Sequence, residues 1–143
     1  MAVEIKAIKY WRGVVENKPG VLAGILGPLA AAGLDLKVVM GYRMHDGQAA
    51  IELYPVIGKK SMAVAQAAGM SVHPVPALLV HGDDKPGVGS VMAKALSEAG
   101  INIAFMVAQV IGRRYSAVIA FENDADTRKA AGVIKKATAP KKK

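Results

Sequence analysis

The sequence contains no cysteine, which excludes disulfides, thiolate catalysis and cysteine-ligated metal. Aromatic residues are scarce, with one tryptophan, four tyrosines and two phenylalanines. The apolar run Gly20 to Leu34 is too short to cross a bilayer and carries glycines and a proline, so a buried helix explains it better. The start, Met1-Ala2-Val3-Glu4-Ile5-Lys6, lacks the basic-then-apolar pattern of an export signal, and a cytoplasmic location is expected. Acidic residues are also in deficit, 11 against 19 basic, for a net charge of +8. Five of the basic residues are Lys135, Lys136 and Lys141 to Lys143; without them 14 face 11, an excess of +3. The charge is therefore mostly a C-terminal tail, broken by Pro140, and reads as a solvated end.

What the chain does have is a repeat. Lys-Pro-Gly occurs at Lys18-Pro19-Gly20 and Lys85-Pro86-Gly87, and a shift of 67 residues aligns far more than these. Without a gap, Val21 falls on Val88, Leu29 on Leu96, Ala32-Gly33 on Ala99-Gly100 and Ala50 on Ala117. Leu34 and Ile101, Asp35 and Asn102, Leu36 and Ile103, Ile51 and Val118, and Tyr54 and Phe121 match in kind. A repeat of this length is a whole supersecondary unit made twice.

In the first copy the pattern predicts a strand over Tyr10 to Glu16, a turn at Lys18-Pro19-Gly20 and a helix over Val21 to Ala32. Val21, Leu22, Ile25, Leu26 and Leu29 recur at helical spacing and are placed on the inner face, with a kink expected at Pro28. Gly33 closes this helix and Gly100 its twin. A strand over Leu34 to Met44, a hairpin turn at His45-Asp46-Gly47, a returning strand over Gln48 to Pro55, a helix over Lys59 to Ala68 and a closing strand over Met70 to Val75 follow. The second copy gives strands at Ala77 to Gly82, Ile101 to Ile111 and Arg114 to Glu122, a helix over Val88 to Ala99, and a last helix capped at Asp126 or Thr127 and running to Ala137.

Strand, helix, strand, strand, helix, strand is the ferredoxin-like order, an antiparallel sheet with two helices on one face. The second copy lacks its closing strand. The repeat register sets Glu4 to Ile8 opposite Ser71 to Val75, so Val3 to Ile8 is expected to cross over and complete the second sheet. The fold class is thus α+β: two ferredoxin-like βαββαβ units packed side by side, 10–76 and 77–137, the latter completed by 3–8, with a basic tail at 138–143.

Both Lys-Pro-Gly turns open a helix. Proline suits a helix start and glycine lets a ligand approach the backbone. Free N–H groups at the positive end of a helix attract a carboxylate or phosphate by about 0.3–1 kcal/mol when exposed. Other chemistry is weak. Gly87-Val88-Gly89-Ser90-Val91-Met92 begins like a dinucleotide fingerprint, but Met92 replaces the third glycine. His45, His73 and His81 are too scattered for a metal site. Ser61, Ser71, Ser90, Ser97 and Ser116 have no accompanying catalytic motif, so no enzyme activity and no cofactor are expected.

Asn17-Lys18-Pro19-Gly20-Val21-Leu22 and Asp84-Lys85-Pro86-Gly87-Val88, each followed by a helix and then Gly33-Leu34-Asp35-Leu36 or Gly100-Ile101-Asn102-Ile103, resemble the ACT family of amino-acid-binding regulatory domains. The stretch Asp84 to Gln109 is similar to the paired ACT modules that regulate aspartate kinases. The resemblance covers nearly the whole chain and implies a small amino acid held where two ACT units meet. Carried over by position, the ligand meets backbone at Pro19 to Leu22 or at Pro86, Gly87, Val88 and Gly89. Lys18 and Lys85 stand in the same turns, and Asn17, Asp84, Asn102 and Asp35 supply polar side chains beside Ile103 and Gln109. It also implies a homodimer and a regulated enzyme or transcription partner. The alternative is an RNA-binding or purely structural assembly module of the same topology. The few aromatics and the missing alternation of basic, glycine and aromatic residues disfavour RNA, leaving only Tyr10, Trp11, Tyr42 and Arg43 as a patch, with Arg113 and Arg114 for a phosphate.

Overall fold

The computed structural model describes residues 3–140. The chain divides into two compact units: Lys9–Pro74, and the chain from Val75 onward joined by the N-terminal strand.

In the N-terminal unit, β2 (Trp11–Glu16), β3 (Val38–Arg43), β4 (Gln48–Tyr54) and β5 (Ser71–Val72) form one antiparallel sheet, following β1 (Glu4–Ile8) in the chain. Its order is β3-β4-β2-β5. Helices α1 (Val21–Ala31) and α2 (Lys59–Ala67) complete the unit. Trp11, Ile51 and Leu53 of the sheet meet Ile25, Leu29 and Ala65 of the helices and Met70, all buried. The alternation of strand residues and the three- and four-residue steps of the helices bring these side chains onto facing surfaces. Leu22, expected on the inner face, is 40% exposed. The first helix runs through Pro28, which is exposed, so the carbonyl of Gly24, deprived of its usual donor, faces solvent rather than the core.

The other unit has β6 (Ala77–Asp83), β7 (Ile103–Ile111), β8 (Arg114–Phe121), α3 (Val88–Glu98) and α4 (Asp124–Ala137). Its sheet order is β1-β6-β8-β7. The N-terminal strand does cross over: Glu4 to Ile8 pair antiparallel with His81 to Ala77. Leu78 and Val80 of β6, Tyr115, Ala117, Ile119 and Phe121 of β8, Met92 and Leu96 of α3, and Ala130 and Ile134 of α4 form the core, with Val3 and Ile5 packed against it.

Three helices end the same way. Leu34 N–H donates to the Leu29 carbonyl and Gly33 N–H to that of Ala30; Ile101 and Gly100 repeat this on Leu96 and Ser97, and Met70 and Gly69 on Ala65 and Gln66. These are Schellman caps, with Gly33 at φ 82° and Gly100 at φ 73°. The last helix is capped by Asn123, not by Asp126 or Thr127: the Asn123 side chain accepts from the Asp126 N–H at 2.8 Å.

Three further expectations are corrected. The strand expected over Leu34 to Met44 is confined to Val38–Arg43, because Leu34 is used by the helix cap. The closing strand expected over Met70 to Val75 is only Ser71–Val72, since Met70 N–H turns back to Ala65 and Pro74 has no N–H to give. Most consequential, the repeat is not gap-free. The β3–β4 hairpin pairs Arg43 with Ala49 and closes further through Met44 N–H to Gln48, leaving three loop residues, His45-Asp46-Gly47; the β7–β8 hairpin pairs Ile111 with Arg114 across two. Beyond it, Ile51 corresponds to Ala117 and Leu53 to Ile119, and these are the residues in the cores. A one-residue offset turns a strand over.

Candidate functional site

Each Lys-Pro-Gly segment is a tight turn closed by an N–H of the following helix, Val21 to the Lys18 carbonyl at 3.4 Å and Val88 to the Lys85 carbonyl at 3.2 Å. Gly20 (φ 91°, ψ −13°) and Gly87 (φ 86°, ψ 1°) take the third position of a type II turn, which an L side chain disfavours. Both glycines are also the N-caps, and neither helix has a side-chain cap. The next two amides, of Leu22 and Ala23 or of Gly89 and Ser90, therefore remain available at the positive helix end.

In the N-terminal unit this turn edges a cavity of about 190 Å³ between α1 and the edge strand β3. Asn17, Lys18, Val21 and Leu22 line it from the helix side, and Gly41, Tyr42 and Arg43 from the strand. Its floor is the cross-strand pair Val15 and Ala49 with Ile51 beside it. Strand alternation puts Arg43, paired with Ala49, on the same side as that floor. Lys18 is held by Glu16 at 3.2 Å, whereas Arg43 has no ion pair among the described residues. The cleft thus joins apolar walls, the Arg43 guanidinium and the Glu16–Lys18 ion pair, beside the positive end of α1. Sequence reasoning missed Arg43 and Tyr42 as lining residues, although the repeat offers a signal, since Tyr42 is the counterpart of Gln109.

The C-terminal unit does not reproduce this cleft. Val15 and Ala49 are replaced at the equivalent cross-strand pair by Gly82 and Tyr115, and Arg43 by Val110. The Tyr115 ring lies over Gly82, its hydroxyl 3.0 Å from where a Cβ on Gly82 would stand. A cavity of about 370 Å³ opens instead beside Lys85, Val88 and Val91 of the turn and α3 and Ala137 and Thr138 at the end of α4. Asn102 and Ile103 line a different cavity of about 340 Å³ with Ser97 and Gly100, at the far end of α3. The 11 residues of that helix span about 16 Å. Asp84 and Pro86 are exposed in the turn, and Gln109 is exposed on β7. Asn102 donates to Glu122 Oε1 at 2.7 Å, and Asp35 is exposed and paired with Lys37. Within one unit, then, the expected residues fall into separate groups.

On β4, Glu52 is buried. Its Oε1 is 3.8 Å from Arg12 Nε, and its Oε2 has no hydrogen-bond partner. Burial pushes its pKa above the usual carboxylate range, against the Tyr42 hydrogen bond and the charges of Arg12 and His73. Tyr10 stacks on the His73 ring at 4.8 Å, and burial with the Glu52 charge pushes its pKa up to about 12. Tyr10 and Trp11 are both buried, so the aromatic patch that base stacking would need is not presented. Among the described residues no group of His, Asp or Glu could hold a metal ion, and no helix is long and apolar enough to cross a membrane.

No family model and no curated protein matches the sequence. Among solved structures, a protein of Bacteroides thetaiotaomicron matches with a TM-score of 0.75 at 20% identity, over 92% of this chain and 89% of the other. The ligand-free regulatory subunit of aspartate kinase from Thermus thermophilus matches with a TM-score of 0.67 at 16% identity, over 97% and 98%. The fold is that of an aspartate kinase regulatory subunit. The aspartate kinase of Clostridium acetobutylicum matches with a TM-score of 0.66 at 16% identity, over 96% of this chain and 34% of the other. At such identities the likeness is one of fold, and the ligand must be argued from the residues above.

Proposed function

We propose that the protein is a non-catalytic, ACT-type regulatory module that binds a small amino acid at the Lys18-Pro19-Gly20 turn of its N-terminal unit. The observation that carries this reading is the open cleft between α1 and β3, where the Leu22 and Ala23 amides and Arg43 can receive a carboxylate while Val21, Leu22 and Ile51 receive a side chain. Asn17 supplies a polar group for the ammonium end. Asp84, Asn102, Ile103 and Gln109 can join an amino-acid site only where another ACT-like edge meets their own, and the proposed homodimer supplies such an edge. The downstream partner is an enzyme or transcription factor whose activity the bound state alters, in the cytoplasm.

A thermal-shift screen of the full chain over the twenty amino acids tests the reading. A ligand at 100 times its dissociation constant stabilises by about 2.7 kcal/mol. Val15→Gly with Ala49→Tyr would fill the cleft as Gly82 and Tyr115 fill its counterpart, and the shift should vanish in that variant. Silence across the screen, or an undiminished shift in the filled variant, refutes the assignment.

A further inference from the structure

We propose that the C-terminal unit carries a second, chemically different site, which takes a small apolar monocarboxylate between the first turn of α3 and the last turn of α4. It goes beyond the amino-acid reading, because this cavity lies toward α4 rather than toward the edge strand and has a different lining.

The decisive residue is Tyr115. It is only 5% exposed, lines the cavity, and its hydroxyl has no hydrogen-bond partner among the described residues. The hydroxyl itself stays accessible, since the buried side-chain polar atom that lacks a partner among the described residues is Glu52 Oε2, and a ligand acceptor oxygen in the adjoining cavity can take its hydrogen bond. Gly82 makes room for it: a Cβ there would stand 3.0 Å from the hydroxyl and 3.1 and 3.2 Å from ring carbons.

The surrounding charge selects an anion. Asp83 lines the cavity but is neutralised by Arg114 at 3.1 Å. Lys85 has no acidic partner among the described residues, and the uncapped amides of Gly89 and Ser90 add the positive end of α3. On the α4 side, the Thr138 hydroxyl is spent on the Ile134 carbonyl at 2.7 Å. The remaining walls, Val3, Val88, Val91 and Ala137, are apolar. At about 370 Å³ the space falls in the small-ligand range. One hydroxyl donor, one ammonium and an aliphatic lining match a carboxylate on a short branched chain.

The probe is isovalerate, titrated into the full chain by calorimetry and by two-dimensional amide NMR, with isoamylamine and isoamyl alcohol as charge controls. Isovalerate should bind saturably and shift the amides of Gly89, Ser90 and Thr138, leaving Leu22 and Ala23 of the amino-acid cleft in place; the amine should not bind. Tyr115→Phe should weaken binding about fivefold, and Lys85→Met, at an exposed position that leaves folding intact, about tenfold. Absence of saturable binding, equal binding of the amine, shifts confined to Leu22 and Ala23, or full affinity in Lys85→Met would each overturn the proposal. Since the two sets of amides report separately, failure here leaves the amino-acid reading standing, and the reverse also holds.

Discussion

A chain lacking residues 1–8 keeps all of the N-terminal unit, Lys9–Pro74, and loses one edge of the other. The loss can be sized from the packing. Ile8 is 1% exposed, and Val3 and Ile5 are partly buried against the core around Leu78 and Val80. Taking about 2 kcal/mol for Ile8 and about 1 each for Val3 and Ile5 gives roughly 4 kcal/mol of lost burial. The first strand also packs under α4, whose cover goes with it. A unit this small sits near the low end of the usual 5–15 kcal/mol, so it should unfold or come close to unfolding. Hydrogen exchange separates the two units. The amides of Leu78 to Val80 and Ala117 to Phe121 should lose protection, while Trp11, the only tryptophan and buried at 4% in the N-terminal unit, keeps its native emission. Full protection of β6 and β8 in the shortened chain would refute the reasoning. A milder form is Ile5→Ala: Ile5 packs on the same core and is partly buried, and its truncation is expected to cost about 1–2 kcal/mol in the C-terminal unit.

Gly82→Ala should shift the Tyr115 ring resonances in NMR, because the added methyl would stand 3.0 Å from its hydroxyl and 3.1 and 3.2 Å from ring carbons, so the ring must give by a few tenths of an ångström; unchanged Tyr115 resonances would mean that the ring is not seated there. Glu52 binds its proton more tightly in the folded state than in the unfolded one, so its contribution to stability is greatest at low pH and is lost as pH rises from the usual carboxylate range through its raised pKa. Glu52→Gln, which keeps an acceptor for Tyr42, should remove that slope and stabilise the protein at neutral pH; superimposable pH–stability curves would contradict this. Asn123→Ala should cost about 1 kcal/mol through the lost Asp126 N–H bond, read as a lower thermal midpoint of the C-terminal unit.

Much of this architecture is written locally. The Lys-Pro-Gly turns, the glycines that close α1 and α3, and the crossing of β1 each follow from residue types whose backbone preferences are strong or from a repeat that lacks one strand. The one-residue difference between hairpins is not legible, because both returning strands carry consecutive apolar residues, Ala49-Ala50-Ile51 and Ala117-Val118-Ile119, and either register buries apolar side chains. With it went the correct partner of Ile51, and the recognition that Tyr115 stands where Ala49 does. Leu22 was misplaced because the apolar stripe of α1 is wider than the surface that the sheet can cover, leaving one leucine for the cleft. The turns in the candidate sites could be read from Pro-Gly alone. Arg43 and Tyr115 could not, since each reaches its cavity through cross-strand pairing, which the order of residues does not state.

The crossing strand also sets an order of events during synthesis. Glu4 to Ile8 leave the ribosome well before their partner, Ala77 to His81, which emerges only after the whole N-terminal unit. That unit can fold while the leading segment waits, its Glu4, Lys6 and the adjoining Lys9 discouraging premature association with other nascent chains. The unit translated later is thus finished by a strand translated before its neighbour.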